Sequence, residues 1–118
     1  MNAIDNALTA GMTAARSVSG RDLVYHRGAA HLEFTAIKGK YQERAVDGTV
    51  VVAEVELTDW IFPIAELSAL TPAEPDKADW VEADGCRYDV AEVAGQGWWN
   101  HSTPDRTWIR LHTVVVNA

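Results

Sequence analysis

From Arg21 to the C-terminus, the apolar residues of this chain tend to fall at every second position. Gly, Pro and Asp-Gly turn signals interrupt them at short intervals. Alternation of this kind puts successive side chains on opposite faces of a strand, so it points to many short strands with one buried face. The tightest stretch runs from Asp79 to Val90. Asp84-Gly85 is a two-residue hairpin turn, which sets Ala83 opposite Cys86, Val81 opposite Tyr88 and Asp79 opposite Val90. Those apolar residues share a face, while Glu82 and Arg87 form an opposite-charge pair on the other.

The same period extends in both directions. Leu23–Arg27 reads as a first strand closed by Gly28, and His31–Ile37 as a second with Leu32, Phe34 and Ala36 on one face. Lys38–Gly48 is polar and reads as a connecting segment with turn signals at Gly39 and Asp47-Gly48. Thr49–Thr58 reads as a third strand, with Val51, Ala53, Val55 and Leu57 facing in and Glu54 and Glu56 facing out. Asp59–Pro63 continues it, and Pro63, which cannot donate to a ladder, marks a strand end or an edge. Ile64–Leu70 fits a strand or a single helical turn. The last strand spans about Thr107–Val116. The expected fold is mainly β: a small β-barrel or sandwich of about six to seven short antiparallel strands.

A chain of 118 residues suits one domain. Residues 1–20 stand apart as a short N-terminal helix or arm, in which Ile4, Leu8 and Met12 recur every fourth position among alanines. So short a helix is marginal alone and needs a surface to dock on. Residues 21–118 form the β core, with an exposed loop at about 68–79 that carries Pro72 and Pro75. No stretch reaches the roughly 20 apolar residues of a membrane span, and no signal peptide is evident, so synthesis in a cytoplasm is expected. The single Cys86 excludes an intramolecular disulfide and any multi-cysteine zinc site.

The net charge is −7, which opposes tight binding to DNA, since phosphate binding rests on Lys and Arg. An acidic surface does allow a duplex to pass without sticking. Two candidate chemistries fail on spacing. His101, Ser102 and Asp105 lie in one loop, whereas a triad draws its members from distant segments. His26, His31, His101 and His112 lack ligand spacing such as His-x-x-x-His. No convergent acid, base and nucleophile is present, so neither catalysis nor a cofactor is expected.

The stretch from Gly97 to Val116 holds three of the five tryptophans. Trp98, Trp99 and Trp108 with Arg106 and Arg110 fit three roles: core filling, a stacking platform for single-stranded nucleic acid, or anchors of a protein interface. Alternation puts Trp108, Arg110 and His112 on one face of the last strand. Ile109 and Leu111, with Val115 in register, lie on the core side. Trp98, Trp99, Arg106, Trp108, Arg110 and His112 are therefore the candidate interface.

Two segments also carry a family likeness. One is Phe62-Pro63-Ile64-Ala65-Glu66-Leu67 followed by Ala78-Asp79-Trp80-Val81 and Asp84-Gly85-Cys86-Arg87-Tyr88-Asp89-Val90. The other is Trp99, then Pro104-Asp105-Arg106 and Ile109-Arg110-Leu111-His112-Thr113. Together, over roughly residues 49 to 113, they resemble the head–tail joining proteins of tailed bacteriophages and prophages. These head-closure, or stopper, subunits sit between the portal assembly and the tail. The chain departs from that pattern at Pro104-Asp105, where the reverse order is expected, and at Ala78-Asp79 in place of Gly-Asp. The resemblance implies a small β-barrel that assembles as a ring in the virion, with N-terminal or loop segments docking on neighbours. Portal or adaptor and tail proteins would be its partners, packaged DNA would pass through, and no enzyme activity is implied. The alternatives are another phage structural adaptor such as a tail-terminator relative, and a small ligand-binding barrel or enzyme.

Overall fold

A computed structural model describes residues 20–47, 50–93 and 97–117. Among the described residues there are seven strands: β1 (Gly20–Arg27), β2 (Ala30–Asp47), β3 (Val50–Pro63), β4 (Trp80–Ala83), β5 (Cys86–Val90), β6 (Trp99–His101) and β7 (Trp108–Asn117). A 3-10 turn at Ile64–Leu67 follows β3, which resolves the ambiguous segment as a helical turn. The strands run in the order β3-β2-β1-β4-β5-β7, and β3 pairs with β7 to close a six-stranded antiparallel barrel. β6 is an extra strand paired to β7. The expected N-terminal helix lies outside the described residues.

The β4–β5 hairpin has the register its sequence predicts, with Ala83 opposite Cys86, Glu82 opposite Arg87 and Val81 opposite Tyr88. Asp84 and Gly85 both take positive φ, 55° and 77°, the geometry of a type I′ turn. Asp79 meets Val90 through a backbone bond from Val90 N to Asp79 O.

The barrel interior is filled from every wall. Leu23 and Tyr25 of β1, Ala36 of β2, Trp60 and Phe62 of β3, Val81 and Ala83 of β4, Tyr88 of β5, and Ile109 and Leu111 of β7 are all buried in one cluster. Cross-strand pairs such as Trp60 with Leu111 and Phe62 with Ile109 put these side chains on the inward face. Leu67 and Leu70, just beyond β3, plug the cluster from one end.

Three expectations need correction. Lys38–Asp47 is strand rather than connector: β2 continues to Asp47, paired with β3 through Asp47 and Val50. The pairing partner imposes extended backbone on a segment whose own pattern is polar. Leu57 is buried, yet it shares the phase of Asp59 and Ile61, opposite to the core residues Trp60 and Phe62, so it faces away from the barrel interior. Val115 lies in the inward row opposite Tyr88 but is 50% exposed. β3 pairs with β7 only as far as Thr113, so the barrel is open where Val115 sits.

Candidate assembly surface

The loop between the 3-10 turn and β4 is tied down at both sides. Arg27, at the end of β1, reaches across it. Its Nε donates to Asp79 Oδ1 at 3.0 Å and its Nη2 to Asp79 Oδ2 at 2.8 Å. Nη1 donates to the Pro72 carbonyl at 2.6 Å, and Nη2 also donates to the Glu74 carbonyl. The buried Asp79 carboxylate also accepts from the Asp76 backbone N–H at 2.9 Å and from the Tyr25 hydroxyl. The Asp79 hydrogen bond raises the Arg27 pKa above its ordinary value. Burial, then the bond to Asp79, pushes the Tyr25 phenol well above the usual tyrosine range. On the far side, Trp98 Nε1 donates to the Pro75 carbonyl at 3.0 Å, and Lys77 Nζ lies 5.7 Å from the Trp98 ring centroid. Within residues 68–79, Leu70, Pro75 and Asp79 are buried and the other positions are exposed.

Arg106 is exposed. It sits at φ 63°, in a turn where its N–H donates to the Thr103 carbonyl at 3.0 Å. Asp105 builds that turn, accepting from the Thr103 and Thr107 hydroxyls at 2.6 and 2.8 Å and from the Thr107 N–H at 3.2 Å. This is a local acceptor role of the kind Asp often fills in turns. Trp99 packs partly buried against the core, with its ring edge-on to His101 at 5.1 Å.

The last strand alternates as its sequence implies, with Ile109 and Leu111 inward and Trp108, Arg110 and His112 on the opposite face. That opposite face is not open. Trp108 is 3% exposed and His112 0%, so these two side chains are sealed within the chain and cannot serve as outward anchors in this fold. His112 Nδ1 lies 2.8 Å from Asp59 Oδ1, and Asp59 is also fully buried. Arg110, partly exposed, puts its Nε 3.4 Å from Asp59 Oδ2. Of the six candidate interface residues, Trp98, Trp99, Arg106 and Arg110 retain solvent-facing surface. Trp98, Trp99 and Arg110 already have structural tasks.

Three clusters were not apparent from the sequence. Asp79 lies more than fifty positions from Tyr25 and Arg27, and only the fold brings the three together. Asp59 did leave a trace, as an acid directly ahead of the apolar run Trp60-Ile61-Phe62. A third cluster lies on the outer face of β1, β4 and β5. Trp80 stacks on His26 at 3.8 Å between ring centroids and 4° between planes, and the Arg87 guanidinium covers it 4.2 Å from its centroid. Both cross-strand positions follow from register, since His26 pairs with Trp80 and Trp80 with Asp89.

Among the described residues, no three His, Cys, Asp or Glu side chains gather as a metal site, and no helix is long and apolar enough to cross a membrane. Comparison with protein-family models decides the class: the model described as phage head-tail joining protein matches residues 1–118. The chain belongs to the phage head–tail joining family. A search of curated proteins found no match. As a head–tail joining protein, the chain has a structural role in the virion, where it meets other head and tail proteins.

Proposed function

We propose that this head–tail joining protein is a head-closure, or stopper, subunit. It assembles as a ring between the portal complex and the tail and lets packaged DNA pass. The observation that carries this reading is the match of the whole chain to the head–tail joining family. A ring subunit needs two different complementary patches whose contact closes by rotation. The exposed Arg106 turn, beside the half-buried Trp98 and Trp99, supplies residue types that anchor protein contacts. Acidic residues outnumber basic ones by 17 to 10, which favours a lumen that repels phosphate.

Electron microscopy of the purified protein mixed with its phage's portal complexes tests the assignment. A ring of added density at the tail-side end of the portal is the expected result. Portal complexes that gain no density at saturating protein would overturn it. Tight binding of free duplex DNA at physiological salt, with a steep salt slope, would contradict passage without sticking.

A further inference from the structure

Among the described side chains, every Lys and Arg but one lies against a carboxylate. Arg21 and Lys38 meet Asp84, Arg27 meets Asp79, Lys77 meets Glu92, Arg87 meets Asp89 and Arg110 meets Asp59. The exception is Arg106, which is exposed and unpaired. Its backbone holds φ at 63°, a conformation that suits glycine and that other residues seldom adopt. A turn that keeps an arginine there gives up conformational ease for an exposed cation.

The complementary imbalance lies across the barrel. On the outer face of β1, the half-buried Val24 has acids around it. Asp22 precedes it by two positions on the same strand, and Glu33 of β2 and Glu82 of β4 pair with it from either side. Glu82 meets His26 at 2.6 Å. Asp22 and Glu33 are exposed and meet no cation among the described side chains. They are diagonal neighbours across the β1–β2 ladder, where like charges repel. Asp22, Val24, Glu33 and Thr35 line a recess of about 410 Å³ in this face. A half-buried valine between two uncompensated carboxylates fits an arginine, whose planar fork matches carboxylates and whose stem packs on apolar surface.

The two features cannot meet within one chain. In the order β3-β2-β1-β4-β5-β7, closed by β3 against β7, β1 and β7 stand three strands apart in either direction. The recess lies on β1 and the Arg106 turn leads into β7, so they face opposite sides of the barrel. Patches placed in this way join copies head to tail, and such a contact closes into a ring when the rotation allows. We propose that Arg106 of one copy docks in the Asp22–Val24–Glu33 recess of a second copy. This contact, which rests on the ring reading for the place of the second copy, supplies the two complementary patches that a ring requires.

Arg106→Lys keeps the charge and adds an amine that a zero-length carbodiimide couples to a carboxylate in contact with it. Isotope-heavy and isotope-light chains of this variant, mixed, bound to portal complexes and coupled, test the contact by mass spectrometry of the linked peptides. The expected product joins position 106 of one isotope to Asp22 or Glu33 of the other. A ring of density on the portal whose links are absent, go elsewhere or stay within one chain would overturn the contact and leave the ring reading standing. The expected link without density on the portal would keep the contact and overturn the ring's position. Neither link nor density would overturn both. Glu33→Lys is the second test. It should weaken assembly on the portal about tenfold at an unchanged melting temperature, and undiminished assembly by the folded variant would overturn the contact.

Discussion

His26 meets Glu82 at 2.6 Å on one wall of the barrel, and His112 meets Asp59 at 2.8 Å on a wall across from it. Each pair has an arginine close by. Arg87 bonds Asp89 at 2.8 Å on the first wall, and Arg110 lies 3.4 Å from Asp59 on the second. The chemistry is the same and the surroundings are opposite. The Glu82 side chain is 52% exposed, while Asp59 and His112 are sealed. Water screens the first group, so its pairs contribute little to stability. Asp59 and His112 have given up their hydration and depend on their partners to replace it, while Arg110 keeps part of its side chain in water. Residue type therefore says little about the weight of an ion pair until the layer above it is known.

The largest effect expected from this contrast is at Asp59. Asp59→Ala takes the carboxylate from Arg110 and the buried bonding partner from His112 Nδ1 and should cost about 3–5 kcal/mol. Glu82→Ala should cost less than about 1 kcal/mol. Urea unfolding of the two variants measures both, and equal losses would break the comparison. Arg110→Glu belongs with Asp59 here, because it sets a second carboxylate beside a buried one. It should destabilise the monomer, which makes it a poor probe of assembly.

Tyr25 offers a third setting, inside the barrel. Tyr25→Phe removes a buried bond to Asp79 and should cost about 1–3 kcal/mol near neutral pH. Because the folded state raises the phenol pKa, its protonated form is the one that stabilises the fold. That stabilisation is intact below the ordinary tyrosine value near 10 and is lost as pH rises beyond it. Wild type should therefore lose stability above about pH 10, and Tyr25→Phe should lose less over the same range. Parallel alkaline limbs in the two unfolding curves would contradict the burial of the hydroxyl.

On the water-exposed wall, a further modest effect comes from backbone conformation. Gly85→Val places a β-branched residue at φ 77° and should cost about 1 kcal/mol or more. An unchanged melting temperature would mean that the hairpin does not depend on its turn.

How much of this was legible in the sequence depended on distance along the chain. The β4–β5 hairpin could be read to the residue because its turn, its faces and its charge pair lie within a dozen positions. The length of β2 could not, because Lys38–Asp47 owes its strand to β3 rather than to its own pattern. β6 escaped notice because three residues are too few to show a period. For β7 the alternation was correct and the exposure was not. A strand pattern tells which residues share a face, never what covers that face. Asp59 and His112 are 53 positions apart, so their pairing appears only once β3 and β7 close the barrel.

The central claim, that the Arg106 turn presents an assembly surface on a fold that does not need it, is tested most directly by Arg106→Glu. Arg106 is exposed, unlike Trp108 and His112, so its replacement can separate assembly from folding. Binding of the variant to portal complexes should weaken by about tenfold or more, as when an interface arginine is lost, while its melting temperature stays that of wild type. Wild-type binding by a normally folded Arg106→Glu protein would contradict the claim.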